Sequence, residues 1–471
     1  MTDAPAREST GRQPVAQDHP ALPTVGDIAA AAERIAGAAI VSPLEYSPRL
    51  SDRYGVQVYL KREDLQSVRS YKIRGAYNVM GQLTSADLAR GVVAASAGNH
   101  AQGVAFACAT LGVPGRIYVP TTTPKQKCDR IVWHGGEFVE LVKTGDTYDA
   151  AQAAALADVA TSGAAWIHPF DDPRTAAGQG TIAREVVDQL GAAPAMMVVP
   201  VGGGGCLTGV MTYLRAADPT TRIVAAEPAG APSLAAALVA GEPVTLAEID
   251  SFVDGAAVRR VGALAHAAVS AVSPSVVDDP DLDPYRGAAA PGIRLVEPGA
   301  PLATGEVRVT RVNEGAICST MLELYQNEGL IAEPAGALAA AALDGLDLAG
   351  SGLTTSSTVV VLVSGGNNDV SRYGEIIERS LVHRGLKHYF LVNFPQEPGA
   401  LRRFLDQVLG PDDDITLFEY VKRNNRETGA ALVGVELGSP DGLAPLVARM
   451  DQSRLLCQWL DPGSPEYRFL T

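Results

Sequence analysis

Positive charge is scarce in this sequence, and so are aromatic residues, histidine, cysteine and long apolar runs. Against 53 Asp and Glu stand only 38 Lys and Arg, a formal net charge of −15 over 471 residues. Nucleic acid and anionic membrane surfaces select basic patches, so neither is an expected partner. No apolar stretch approaches the roughly 20 residues that a bilayer core requires. The five cysteines, Cys108, Cys128, Cys206, Cys318 and Cys457, stand apart without a CxxC or a Cys/His pair. That spacing offers neither a disulfide framework nor a zinc site, and it points to the cytosol. Residues 1–25 mix Asp3, Arg7, Glu8 and Arg12 with prolines and have no apolar core, so they read as a disordered leader and not as a signal peptide.

What is present is alternation. From Asp27 to about Leu386, short β-branched apolar runs alternate with Ala-rich helical stretches, the pattern of an α/β protein with mostly parallel sheets. Strands are expected at Gly91–Ala95, Gly115–Pro120, Glu137–Val142, Ala195–Val201, Arg222–Glu227 and Thr358–Val363, and the short apolar run Trp166–Phe170 starts the return to the larger lobe. The segments from about 70 to 165 suggest a small lobe. Val272 to Glu306, rich in proline and aspartate, breaks the pattern and reads as a surface loop or partly disordered insertion.

Ser70-Tyr71-Lys72-Ile73-Arg74-Gly75-Ala76 opens a helix expected over Tyr71–Leu83, with Ser70 as its N-cap. Lys72 then lies in the first turn, where unpaired N–H groups and the macrodipole disfavour an ammonium. A lysine kept neutral is a nucleophile for a carbonyl, and a Schiff base with an aldehyde cofactor uses that property. An ordinary surface lysine beside Lys61 and Arg62 is the bland alternative. Ser96-Ala97-Gly98-Asn99-His100 turns a strand into a helix and aims N–H groups at one point, a nest for a carboxylate or phosphate. Gly202-Gly203-Gly204-Gly205 joins a buried strand to a helix beginning near Cys206. Such a run lets the backbone wrap a phosphate, yet it fits neither G-x-G-x-x-G nor a P-loop. Ser364 ends the apolar run Thr358–Val363, where function collects in open α/β sheets. His168 reads as a packed histidine.

Together these pieces look like a pyridoxal phosphate site. Ser70–Ala76 (SYKIRGA), Ser96–Gly103 (SAGNHAQG), Val201–Gly205 (VGGGG), Glu333–Leu338 (EPAGAL) and Ser364–Asp369 (SGGNND), in this order and spacing, closely resemble the biosynthetic threonine dehydratases. These belong to the tryptophan-synthase-β-like group, a two-lobed fold type II α/β body. The resemblance covers residues 27–471 and implies a catalytic domain over 26–386. Carried over, it makes Lys72 the Schiff-base lysine and base. Gly202, Gly203, Gly204, Gly205 and Cys206 become the phosphate cup, Asn99 a partner of the ring hydroxyl, and Ser364 the neighbour of the pyridine nitrogen. Ser96, Ala97, Gly98, Asn99 and His100 would take the substrate carboxylate. The implied reaction eliminates water from L-threonine to give 2-oxobutanoate and ammonia, with L-serine giving pyruvate. Glu227 matches one acidic position of the cation site in some serine-acting relatives, but Ser233 stands at the later one, so no metal is expected.

Beyond Leu386 the pattern becomes βαββαβ, a ferredoxin-like unit at 387–471 with Leu401, Phe404, Leu405 and Val408 read as one apolar helix face. The resemblance makes it a single ACT-like regulatory domain that binds isoleucine, in a homotetramer in the cytoplasm. Rival readings are a catabolic serine/threonine dehydratase, a racemase of the same fold, and a non-catalytic amino-acid sensor whose body is a relic.

Overall fold

The computed structural model describes residues 21–286, 292–420, 428–453, 455–461, 464 and 467. The expected disordered leader, residues 1–25, lies outside the described residues except for its last five, 21–25. There Thr24 accepts from Asp27 N at 3.1 Å while the Asp27 carboxylate accepts from Thr24 N at 2.8 Å, a reciprocal cap that starts a helix at Val25.

In chain order the strands are β1 (Leu44–Tyr46), β2 (Gln57–Arg62), β3 (Val92–Ala95), β4 (Gly115–Val119), β5 (Val139–Lys143), β6 (Ala165–Trp166), β7 (Met196–Pro200), β8 (Arg222–Pro228), β9 (Ser275–Val277), β10 (Arg294–Val296), β11 (Val307–Val312) and β12 (Thr358–Val363). The larger sheet runs β1-β2-β12-β7-β8-β11-β9-β10, and every neighbouring pair but β1/β2 is parallel. Val359 to Val363 have no solvent exposure at all, which is why that strand is apolar at every position and not alternately polar. The smaller sheet, β5-β4-β3-β6, is wholly parallel and forms the second lobe.

The helices between the sheets approach closely because glycines remove the Cβ. A Cβ on Gly178 would lie 2.7 Å from Arg74 O, one on Gly209 2.0 Å from Ala176 O, and one on Gly103 3.1 Å from the Lys72 carbonyl. The helix that opens with Lys72 is therefore packed, backbone on backbone, between Pro173–Leu190 and Asn99–Leu111. It spans Lys72–Met80, shorter than expected. Two residues into it, Arg74 is fully buried and paired with Glu63 at 2.8 Å and Glu185 at 2.6 Å, while the equally buried Lys61 reaches Glu185 at 2.6 Å.

Two readings of the sequence change. Residues 57–62 and 307–312 are strands that the pattern did not single out. Within the short apolar run, β6 ends at Trp166, and the His168 ring nitrogen Nδ1 accepts from Phe170 N and Asp171 N and turns the chain. The segment 272–306 is not simply a surface loop: β9 and β10 extend the large sheet, and Val276, Leu282 and Leu302 are at most 2% exposed. Its polar composition hid them because a three-residue edge strand carries almost no periodic signal.

The chain then forms β13 (Lys387–Pro395), β14 (Asp414–Tyr420), β15 (Thr428–Glu436) and β16 (Leu456–Leu460), an antiparallel sheet ordered β14-β15-β13-β16 with helices at Ala400–Gln407 and Leu443–Gln452. This is the ferredoxin-like βαββαβ arrangement. Phe404, Val408, Leu446 and Met450 are buried in it, whereas Leu401 and Leu405 are 42% and 43% exposed, so the first helix presents a narrower apolar face than its sequence implied.

Removing residues 272–306 is now expected to cost solubility or at least markedly lower the melting temperature, because it deletes two strands and the Ser275–Glu306–Arg308 hydrogen bonds. Circular dichroism of the deletion against the full chain checks this; an unchanged melting curve would return the segment to the surface.

Candidate active site

Lys72 is held in place by its own backbone neighbours. Tyr71 N donates to Ser364 O at 3.2 Å, Gly366 N donates to Arg69 O at 2.9 Å, and Ser70 bridges Gly365, so the start of the lysine's helix is tied to the end of β12. Arg69 adopts φ +55°, a left-handed conformation that a non-glycine residue takes only when its surroundings impose it. Ser70 does not cap the helix. Its hydroxyl is buried without a partner, and the cap position falls to Tyr71 with no side-chain bond. Lys72 is the first helical residue, and its Nζ donates to Pro169 O at 3.0 Å.

Burial pulls the Lys72 ammonium down from 10.5 to about 8, against the opposing influence of nearby Cys206 and Glu333. Loss of solvent is thus the main cause, ahead of the helix-end field that the sequence suggested. Cys206 is 4% exposed, and burial raises its thiol to about 12, so it is an inert, protonated wall of the site.

At the tetraglycine the absence of side chains lets the neighbouring segments pack directly on the backbone. A Cβ on Gly203 would lie 2.1 Å from the Phe170 ring, one on Gly204 2.2 Å from Ala265 Cβ, and one on Gly202 2.9 Å from Ala256 Cα. Gly204 has φ +84°, the turn that starts the helix Gly205–Ala217 one residue before Cys206. The first N–H groups of that helix have no intrahelical acceptor, and they open beside Lys72. A phosphate group fits this chemistry: a bare backbone, orphan donors and a cation close by.

On the smaller lobe, Ser96 to Asn99 are half-buried and border the cleft, while Ser96 Oγ accepts from Gly98 N at 3.2 Å. Asn99 opens the helix Asn99–Leu111. The His100 side chain points elsewhere: it is 3% exposed, its Nε2 is bonded with Ile167 O at 2.8 Å, and burial drops its pKa to about 3. Only the backbone of His100 remains for a substrate carboxylate. Ser364 is 3% exposed, and its hydroxyl donates to Ala335 O at 3.0 Å.

Two residues of the cleft had no role in the reading of the sequence. Glu333 is buried and accepts from Asn99 Nδ2 at 2.5 Å; burial, reinforced by Asp254, lifts its carboxyl to about 7. Asn367 Nδ2 donates to Asn99 Oδ1 at 2.7 Å and Val68 O at 2.8 Å. Both stood inside quoted motifs, but nothing local distinguishes a cleft residue from a helix-initiating Glu-Pro or a strand-end turn. Glu227 lies away from this cluster, where its carboxylate accepts from Leu234 N at 2.6 Å and Ala235 N at 2.9 Å. Among the described residues no group of three or more His, Cys, Asp or Glu is placed to hold a metal ion.

Comparison with known proteins was made on sequence and on structure. Residues 35–282 match the family model described as pyridoxal-phosphate dependent enzyme, and residues 378–470 match the C-terminal regulatory domain of threonine dehydratase. The chain is 59% identical over 444 residues to the L-threonine dehydratase biosynthetic IlvA of Mycobacterium tuberculosis, covering 94% of this chain and 95% of that one. Among solved structures, the processed form of threonine deaminase isoform 2 from Solanum lycopersicum superposes with a TM-score of 0.61 at 36% identity, over 75% of this chain and 92% of that one. Maize serine racemase gives 0.63 at 27% identity, over 77% and 99% respectively.

Cofactor-free protein should form an adduct with a simple aldehyde at a rate that rises with pH through a midpoint near 8, because only the free amine reacts. At a pKa of about 8, about a tenth of the lysine is neutral at pH 7. A stopped-flow pH series measures it; a midpoint at 10.5 would describe a solvated lysine instead.

Proposed function

We propose a function on one premise: the chain belongs to the pyridoxal-phosphate-dependent enzymes, and within them to the biosynthetic L-threonine dehydratases. It deaminates L-threonine to 2-oxobutanoate and ammonia by loss of water, the step that commits threonine to isoleucine, and it acts on L-serine by the same path. The observation that carries this reading is that the buried Lys72, with its pKa lowered to about 8, lies close to Cys206 at the end of the glycine turn and against Gly103 on the helix that Asn99 opens.

Pyridoxal phosphate bound there supplies an electron sink for the pair of electrons left when the substrate Cα–H breaks. In this reading the N–H groups from Gly202 to Cys206 hold its phosphate and Lys72 holds its aldehyde carbon. With the cofactor bound, the Lys72 amine would be the group that takes the Cα proton, a role suited to a base with a pKa near 8. The backbone N–H groups of Ser96 to His100 bind the substrate carboxylate. Ser364 would be the neighbour of the ring nitrogen. A hydroxyl has a single proton, so Ser364 would donate to that nitrogen only by releasing Ala335 O. It cannot hold the nitrogen protonated as an aspartate would, and that favours prompt loss of the β-hydroxyl over racemisation.

The tail is the regulatory part, with isoleucine as its effector, in a cytoplasmic homotetramer. No helix among the described residues is long and apolar enough to cross a membrane. Support for the coupling comes from the helix Tyr373–His383, which leads into β13. Arg379 on this helix and Arg372 just before it lie 4.4 and 4.5 Å from the Phe252 ring centre, and Arg379 pairs with Asp250 at 3.0 Å. The same loop carries Ala256 against Gly202. An effector that biases the tail can thus bias the phosphate turn, provided it binds the two arrangements unequally.

Lys72→Ala is expected to abolish keto-acid release from threonine and serine without unfolding the chain, as read by a coupled keto-acid assay and circular dichroism. Wild-type turnover by this variant would end the assignment. In the intact protein isoleucine should make threonine saturation sigmoidal and weaken apparent affinity by about 5- to 150-fold, the usual span of allosteric coupling. Initial-rate curves with and without isoleucine check it, and superimposable curves would remove isoleucine as the effector.

A further inference from the structure

We propose that Glu333 and Asn367 are positioning residues that lock the Asn99 carboxamide in one orientation across the cleft, leaving one N–H to donate to the ring oxygen of the cofactor. The proposal rests on the reading above, in which Asn99 faces that oxygen.

A carboxamide has two donors and one acceptor oxygen, and rotation by half a turn exchanges them. In this cleft both ends are already committed. Asn99 Nδ2 donates to Glu333 Oε1 at 2.5 Å, and Asn99 Oδ1 accepts from Asn367 Nδ2 at 2.7 Å. Turning the amide over would set NH2 against NH2 at the Asn367 end and, whenever Glu333 is ionised, oxygen against a carboxylate oxygen at the other. The first N–H and the oxygen being used, the second N–H remains, so Asn99 presents a donor to the cofactor and never an acceptor. A donor favours the ionised ring oxygen over the neutral hydroxyl.

The two partners are themselves fixed. Glu333 N donates to Gly365 O at 3.2 Å, and a Cβ on Gly365 would lie 2.3 Å from Glu333 Oε1, so only glycine leaves the carboxyl its place. Asn367 spends Nδ2 on both Asn99 and Val68 O, while its own Oδ1 is buried without a partner among the described residues. An unpartnered amide oxygen is a cost that a flipped Asn367 would not relieve, since its oxygen would then face two others. The side chain is there for its donors. Asn99 belongs to the smaller lobe, Glu333 and Asn367 to the larger, so the lock also sets the distance between them.

The test measures pyridoxal phosphate affinity of the cofactor-free protein, and the visible absorption maximum of the loaded protein, in single and paired variants. Glu333→Ala and Asn367→Asp should each weaken cofactor binding about tenfold or more and shift the absorption band, as loss of an oriented bond to a charged group does. Glu333→Gln, whose amide oxygen still accepts from Asn99, should restore both. Adding either lesion to Asn99→Ala should cause no further loss, because there is then no carboxamide to orient. An additive loss in the paired variant, or failure of Glu333→Gln to rescue, overturns the proposal. If Asn99→Ala alone leaves affinity and spectrum unchanged, it is the underlying placement of Asn99 that fails. Should Glu333→Ala not fold by circular dichroism, Asn367→Asp with Asn99→Ala completes the same cycle.

Discussion

A buried ionic cluster fixes where Lys72 can be. Arg74 and Glu63 have no solvent exposure, and Glu185 closes the cluster by meeting both Arg74 and Lys61. Removing one partner from such a group leaves a stranded charge and costs about 3–5 kcal/mol, whereas the intact cluster contributes little net stability. Its value lies in geometry: charge pairs of this kind are satisfied only in one register. Glu63 follows β2 directly, Glu185 lies on the helix Pro173–Leu190, and Arg74 sits two residues after Lys72. Sheet, helix and lysine are thereby locked to one another. The Arg74 guanidinium holds the Glu63 carboxyl below its ordinary pKa despite full burial. That contribution is complete above the ordinary carboxyl pKa and is lost as pH falls through the lowered one, so the lock weakens only in acid.

Around this lock the cleft is shaped by what has been left out. Gly75, Gly103, Gly178, Gly180 and Gly209 let four helices touch through their backbones, which brings the Asn99 helix and the Lys72 helix together. The tetraglycine does the same on the other side, with Phe170 and Ala265 filling the space of the missing Cβ atoms. The first N–H groups of the helix that follows have no intrahelical acceptor, and burial brings the Lys72 pKa to about 8.

The regulatory part connects to this machinery by a short route. Lys387 is paired with Glu378, Tyr389 donates to Glu378 at 2.5 Å, and Leu437 N donates to Leu386 O at 2.7 Å, so the ferredoxin-like sheet is fastened to the helix that clamps Phe252. The same loop brings Asp254 to Lys127 of the smaller lobe, an ion pair across the cleft. The ion pair between the lobes and the contacts of the tail's helix therefore share one loop.

The sequence by itself determined the elements whose signal is local. The continuous run Thr358–Val363, the strand–glycine–helix passage at 202–205 and the βαββαβ order of the tail each follow from residues adjacent in the chain, through periodicity, glycine conformation and capping. It also carried the family and its cofactor, because several motifs kept their order and spacing. What only the tertiary structure decided are properties made by residues far apart. Glu333 and Asn99 meet across 234 positions, and no pattern in either segment announces the pairing. The His100 ring turned inward to Ile167 O, Ser70 gave up its capping role to lie against Gly365, and residues 275–277 became a strand on the edge that β11 offered, with 294–296 added in turn on the edge of 275–277. Burial and partner choice are sums over the whole packed molecule, so the residue that could be a nucleophile was legible in the chain, while the environment that makes it one was not.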